Sequence, residues 1–165
     1  MNPCPCGNYP DLDRCRCTPG EIHRYLSKVS QPFLDRMDLC VETPKVSYRE
    51  LMSDNQNVTS ESILKKVIQA REIQRERYQG RMYATNSGMN LDEIRRFCCL
   101  EEKAQRMMER AFEMLGLTAR TYFRTLRVAR TIADLEESEQ IRGCHLAEAI
   151  SYRMVDQKIW GNQKR

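Results

Sequence analysis

Leu117-Thr-Ala-Arg-Thr-Tyr-Phe-Arg-Thr-Leu-Arg-Val-Ala-Arg-Thr-Ile-Ala-Asp-Leu135 reads as one long helix. Thr118 is a natural N-cap, its hydroxyl placed to accept from the unpaired amides of the first turn, and nothing before about Glu136 interrupts the helix. At about 100° per residue, Tyr122, Leu126, Ala129 and Ala133 fall within about 60° of one another. Arg120, Arg124, Arg127 and Arg130 occupy a separate arc of about 120°. The expectation is one packed face and one face presenting guanidinium groups. Arg120 stands in the first turn, where the helix N-terminus adds its own positive field and favours an anion.

The flanking segments are helical too. Ala104, Met107, Met108, Ala111, Met114 and Leu115 recur at spacings of three and four, marking a core helix that Gly116 ends. Asn90 with Glu93 is the pattern of a capped short helix through Phe97, and Cys98 and Cys99 behind it read as packing residues. Thr59 or Ser60 opens a helix whose Ile63, Leu64, Val67, Ile68 and Ala70 are expected to face a core, with Arg71, Arg75 and Arg77 in its later turns and Gly80 as its stop. Between Ile141 and Arg153, Leu146, Ala149, Ile150 and Tyr152 are available for packing. There His145 is expected as a cap or surface residue and Cys144 as a structural one. Residues 58–160 thus read as a helical domain. Polar residues 45–57 read as a linker, and 161–165 as a polar, frayed tail with Trp160 before it as an available anchor.

Residues 1–44 differ in character. Gln31-Pro-Phe-Leu-Asp-Arg-Met-Asp-Leu-Cys-Val-Glu-Thr-Pro44 begins as a helical turn, with Pro32 in its first turn and Phe33, Leu34 and Met37 on its apolar side. Leu39 and Val41 then alternate with Asp38, Cys40 and Glu42, the period of a short strand that Pro44 ends. Arg36 falls at the junction, with Asp35 and Asp38 as the ordinary partners of a surface arginine. Thr18, Pro19 and Glu21 make a capped helix start, followed by apolar Ile22, Tyr25, Leu26 and Val29, with His23 on the wetter side. Cys4, Cys6, Cys15 and Cys17 form two C-x-C pairs, with Pro5, Gly7 and Pro10 supplying bends. Four thiolates suit tetrahedral structural zinc; reduced buried thiols and a redox pair are the other readings of this spacing.

Composition narrows the classes. No apolar run reaches the roughly 20 residues of a membrane span, and the N-terminus lacks a basic-then-apolar signal pattern, so a cytoplasmic protein with no membrane role is expected. A net charge of +4 permits a polyanion partner without requiring one. Because 20 of the 27 basic residues are arginine, bidentate phosphate contacts are favoured over point-charge ones.

Three segments resemble, in order, one family. Met1-Asn-Pro-Cys-Pro-Cys-Gly7 is similar to the segment after the fourth core strand of magnesium-chelatase-like AAA+ ATPases of the ComM group. Leu34-Asp-Arg-Met-Asp-Leu39 is similar to their arginine-finger segment, and Leu117 to Leu135 to their sensor-2 helix. Ile141 to Arg153 also resembles their closing helix. The resemblance implies that Asn2 is the sensor-1 amide, that Arg36 is a finger offered in trans to the neighbouring subunit's nucleotide, and that Arg120 is the sensor-2 arginine. It implies a mainly α chain: a small α/β remnant of an AAA+ core with a cysteine-rich loop, followed by a helical lid. It also implies ATP and Mg²⁺ bound by the intact protein, a homo-oligomer, in the form of a hexameric ring, and work on DNA in competence or recombination.

The sequence contains no G-x-x-x-x-G-K-[ST] phosphate loop (Walker A) and no hydrophobic strand ending in the acidic pair of a Walker B motif. The expectation is therefore a C-terminal portion of such an ATPase, inactive alone, with Met1 an odd native start. The alternative is a stand-alone zinc-stapled helical module that binds nucleic acid or protein without nucleotide. Metal insertion into a porphyrin would follow from the chelatase name alone, and no residue points to a porphyrin site.

Overall fold

In the computed structural model, residues 1–43, 46–52 and 58–160 are described, with the side chains of residues 50, 155–158 and 160 outside that description. The chain is mainly helical: α1 (Pro19–Leu26), α2 (Gln31–Leu34), α3 (Tyr48–Leu51), α4 (Ser60–Arg77), α5 (Leu91–Phe97), α6 (Glu102–Leu115), α7 (Ala119–Leu135) and α8 (Gly143–Trp160). A 3₁₀ turn at Asn86–Gly88 precedes α5. No described helix is long and apolar enough to cross a membrane.

Local chemistry sets the ends. Thr18 and Glu21 close a capping box at α1, and Asn90 and Glu93 another at α5. Between α6 and α7 the Leu117 amide donates to the Phe112 carbonyl and the Gly116 amide to Glu113, with Gly116 left-handed at φ 57° and Leu117 buried behind it. Thr118 then caps α7 by accepting from the Thr121 amide at 3.2 Å. A tight corner thereby turns α6 into α7.

α7 is the central helix, packed by α8, α4, α5 and the 3₁₀ turn, while α6 packs on α8. Leu126, Ala129, Ile132 and Ala133 meet Leu146, Ala149 and Ile150 of α8, with Tyr78, Met89, Ile94, Cys98, Ala104 and Met108 completing the core. Central placement changes one expectation: the arginine arc of α7 is not uniformly presented to solvent, because Arg130 is 3% exposed and its neighbour Asp134 is enclosed by α4 and the loop before α5, while Arg120 stays exposed.

Four further expectations change. Leu39 and Val41 form no strand and are exposed; a strand needs a ladder partner, and none of the described residues supplies one, the lone bridge being Leu100 with Ile141. Ile63, Leu64, Val67 and Ile68 are exposed on the first half of α4, and its buried residues, Ala70 and Gln74, lie in the second half, followed by buried Tyr78. Met114 is exposed at the end of α6, as are Cys99 and Cys144. His145 caps the start of α8, its Nδ1 accepting the Arg142 amide at 3.1 Å, but it is buried and not at the surface, with its Nε2 2.9 Å from Glu136.

Within the expected linker, residues 48–51 form a helical turn, whereas 45 and 53–57 lie outside the described residues, as do Pro44 and the tail 161–165.

Candidate functional site

The cysteine loop is built from consecutive turns. The Gly7 amide donates to Cys4 O, Asp11 to Asn8 O and Cys15 to Asp11 O, the last at 2.8 Å. Gly7 adopts φ 76°, and a Cβ there would sit 3.3 Å from the Asn2 amide nitrogen, so glycine lets the Asn2 side chain lie against the loop. These turns bring the sulfurs of Cys4, Cys6, Cys15 and Cys17 within 4.8 Å of one another. Cys4 and Cys6 are 3.4 Å apart, Cys6 and Cys15 3.6 Å, and Cys4 and Cys15 3.8 Å. The Tyr9 amide donates to the Cys4 sulfur at 3.4 Å, the polarity a thiolate requires.

Backbone hydrogen bonds from Asn8 and Arg16 bring the Cys6 thiol down to about 6. Cys17 is pushed up to about 12; a backbone hydrogen bond at Cys6 pulls it down, but desolvation and the crowded sulfurs win. Four sulfurs this close resist being thiolates together unless a cation sits among them.

Arg36 follows α2 in a turn closed by its amide on Phe33 O and by Met37 on Leu34 O. Its ordinary partners are taken: Asp35 accepts from Gln31 at 3.2 Å, and Asp38 pairs with Arg124 at 3.1 Å. The Arg36 guanidinium is exposed and has no hydrogen bond or ion pair with the described residues. On α7 the same sorting occurs. Arg124 donates to the Arg36 carbonyl as well as to Asp38. Arg127 donates to Met89 O at 2.6 Å, and Arg130 donates to Asp134 and to the carbonyls of Ser138 and Glu139. Arg120 alone of the four is exposed and unengaged among the described residues.

The same helix carries a buried carboxylate, Asp134, which is fully enclosed. It accepts from both terminal nitrogens of Arg77, at 2.6 and 2.8 Å, from Arg130 at 3.0 Å, from Asn86 at 2.8 Å and from Gln74 at 3.2 Å. Burial pushes its carboxyl up, but the hydrogen bonds from Arg77 and Asn86 and the charge of Arg130 outweigh that and hold it below the ordinary carboxylate range.

Comparison with known proteins now decides the family. The magnesium chelatase, subunit ChlI C-terminal family matches residues 57–153, and the magnesium chelatase, subunit ChlI family matches residues 1–51. This chain belongs to the magnesium chelatase ChlI family. Among relatives of this magnesium-chelatase-like chain, competence protein ComM of Haemophilus influenzae is 44% identical over 156 residues, covering 94% of the chain and 30% of that protein. Uncharacterized protein YifB of Salmonella typhimurium is 41% identical over 165 residues, 99% of the chain and 32% of that protein. An uncharacterized Mycobacterium bovis protein is 32% identical over 154 residues, 93% of the chain and 30% of that protein. The magnesium-chelatase-like chain thus spans about a third of the length of the curated relatives it matches.

Of the residues singled out from this magnesium-chelatase-like sequence, the four cysteines converge. Arg36 is joined to α7 through Arg124, one turn beyond Arg120. Asn2 lies against the cysteine loop, and no hydrogen bond or ion pair among the described residues links it to Arg36 or Arg120. Sequence reasoning left Arg124, Arg127 and Arg130 unassigned and did not single out Asp134 or Arg153. Arg130 and Asp134 are four residues apart on one helix and readable as a pair; the long-range partners of Arg124 and Arg153 carry no local signal.

Proposed function

We propose that this chain is the finger- and sensor-bearing C-terminal portion of a magnesium-chelatase-like AAA+ ATPase. Residues 1–44 belong to its ATPase core, 45–57 to a linker and 58–160 to its helical lid. ATP and Mg²⁺ are bound by the intact protein, which assembles as a homo-oligomeric ring, a hexamer. A part in competence rests on the likeness to the Haemophilus competence protein, and action on DNA, in competence or recombination, on the family resemblance of the sequence.

The observation that carries the reading is the sorting of arginines. Arg36 and Arg120 keep unengaged guanidinium groups while Arg124, Arg127 and Arg130 around them are consumed by carbonyls and carboxylates. An unengaged guanidinium can take up a phosphate without first breaking a bond. Arg120 sits at the N-terminus of α7 and contacts the terminal phosphate in its own subunit. Asn2, able to donate and accept, orients the attacking water or the same phosphate. Arg36 stabilises the charge that develops on the neighbour's phosphate during transfer.

The test is nucleotide affinity in a full-length protein carrying this chain. Arg120→Ala removes a charge-assisted hydrogen bond of about 1.5–3 kcal/mol, which is roughly ten- to hundredfold in Kd for ATP. An unchanged Kd, measured by titration with a fluorescent ATP analogue, contradicts the sensor-2 role.

The four cysteines hold a structural zinc ion in this reading. Zinc–thiolate bonds of about 2.3 Å in a tetrahedron place sulfurs about 3.8 Å apart; the separations among Cys4, Cys6 and Cys15 are 3.4 to 3.8 Å, and the Cys17 sulfur lies within 4.8 Å of each. With every position filled by protein, the ion braces the loop beside Asn2 and takes no part in chemistry. The expected result is one zinc per chain by elemental analysis, tetrahedral thiolate absorption bands on cobalt substitution, and loss of both in Cys4→Ser with Cys15→Ser. A chain that remains zinc-free after equilibration with equimolar zinc under reducing conditions contradicts it.

A further inference from the structure

The turn that carries Arg36 is held to the lid by two arginines that nothing in the family resemblance assigns. Its backbone carbonyls point toward α7 and α8. Arg124 of α7 donates to the carbonyl of Arg36 itself, and the same nitrogen pairs with Asp38 at 3.1 Å. Arg153 of α8, 3% exposed, donates to Met37 O at 2.6 Å and more distantly to Leu34 O at 3.5 Å. The Cys40 amide adds a bond to Tyr152 O at 3.2 Å, and Leu34 is buried. Residues 34–40 thus lie against the lid helices, with backbone fixed and the Arg36 side chain left in solvent.

Short helical turns expose carbonyls at their C-terminal end, and a cation there satisfies them directly. Arginine suits the task because one terminal nitrogen carries two N–H groups, and that of Arg124 meets both the Arg36 carbonyl and the Asp38 carboxylate. A single helical turn of four residues, as in α2, gives little rigidity by itself; the two guanidinium groups supply it. The second consequence concerns α7, because Arg124 lies one turn after Arg120. Any displacement of α7 that follows phosphate binding at Arg120 is transmitted to the carbonyl of Arg36.

We infer that Arg124, backed by Arg153, is a positioning residue that fixes Arg36 to the sensor helix, so that the finger and the lid move as one piece. The inference rests on Arg36 being the finger. A displacement of about 1 Å at a reacting group can cost on the order of hundredfold in rate. Arg124→Gln in the full-length protein therefore lowers kcat by roughly ten- to hundredfold, with Kd for ATP unchanged.

The discriminating measurement is a double-mutant cycle. If Arg124 acts through Arg36, Arg124→Gln has no further effect on kcat once Arg36 is alanine. Equal losses in both backgrounds, or no loss in the Arg36 background, overturn the inference. Wild-type turnover of Arg36→Ala alone overturns the finger reading instead, which keeps the two failures apart. Hydrogen exchange of residues 36–40 checks the physical cause: faster exchange in Arg124→Gln with undiminished turnover makes the contact merely structural and also overturns the inference. Should Arg124→Gln fold poorly by circular dichroism, Arg124→Lys replaces it. Its single ammonium serves the two acceptors less well and gives an intermediate loss, whereas wild-type kcat in Arg124→Lys with the same exchange defect counts against the positioning role.

Discussion

Arg36→Ala, in a full-length protein that carries this chain, is expected to bind ATP as tightly as the unsubstituted protein and to turn it over about 10³–10⁵ times more slowly. Fingers act on charge that develops in the transition state, so kcat takes the loss and ground-state affinity does not. The guanidinium makes no bond with the described residues and stands exposed, so removing it breaks nothing in the fold. The helical circular dichroism and melting temperature of the variant should match those of the parent. A kcat within threefold of the parent would remove Arg36 from the chemistry.

The second large effect concerns stability. Asp134→Ala is expected to destabilise the lid by about 3–5 kcal/mol in urea unfolding, because it strands the buried charges of Arg77 and Arg130. That is a large share of the roughly 5–15 kcal/mol that holds a domain together. Asp134→Asn preserves shape and one acceptor and should lose less. The same site sets an acid limit. Its pKa in the folded chain lies below its unfolded value, so its contribution is complete above the unfolded pKa, near 4, and is lost as pH falls through the lower folded one. The difference in stability between parent and Asp134→Asn should accordingly shrink only in strongly acid solution. A difference that stays constant through the strongly acid range, or an Asp134→Ala loss below about 1 kcal/mol, contradicts the assignment of this carboxylate as the hub.

The legible parts of the fold were those governed by neighbours in sequence. Thr118, Asn90 and Thr18 announce helix starts through hydroxyl or amide chemistry that acts over three residues, and Gly116 announces an end because it turns left-handed. The cysteine cluster was legible from spacing and local bends. The unread parts depend on what lies opposite. Leu39 and Val41 alternate as strand residues do, yet pairing needs a second strand. Ile63, Leu64, Val67 and Ile68 repeat as core residues do, yet all four stand exposed to solvent.

The arginine arc of α7 illustrates the limit for the site. Periodicity groups Arg120, Arg124, Arg127 and Arg130 on one side, and only tertiary partners separate the unengaged Arg120 from three that are bound. His145 shows the same limit in miniature: its place at a helix start was readable, whereas its burial against Glu136 follows from how α7 meets α8.

The central claim is that Arg36 works across a subunit boundary, and mixed assemblies test it most directly. Arg36→Ala subunits are combined with subunits inactivated in the phosphate loop of the full-length protein, each preparation inactive alone. Where an intact nucleotide site of the first kind faces Arg36 of the second, ATP turnover should reappear, rising to a maximum near equal mixing. Mixed rings verified by differential tagging that stay as inactive as either parent would show that Arg36 does not serve a neighbour's nucleotide.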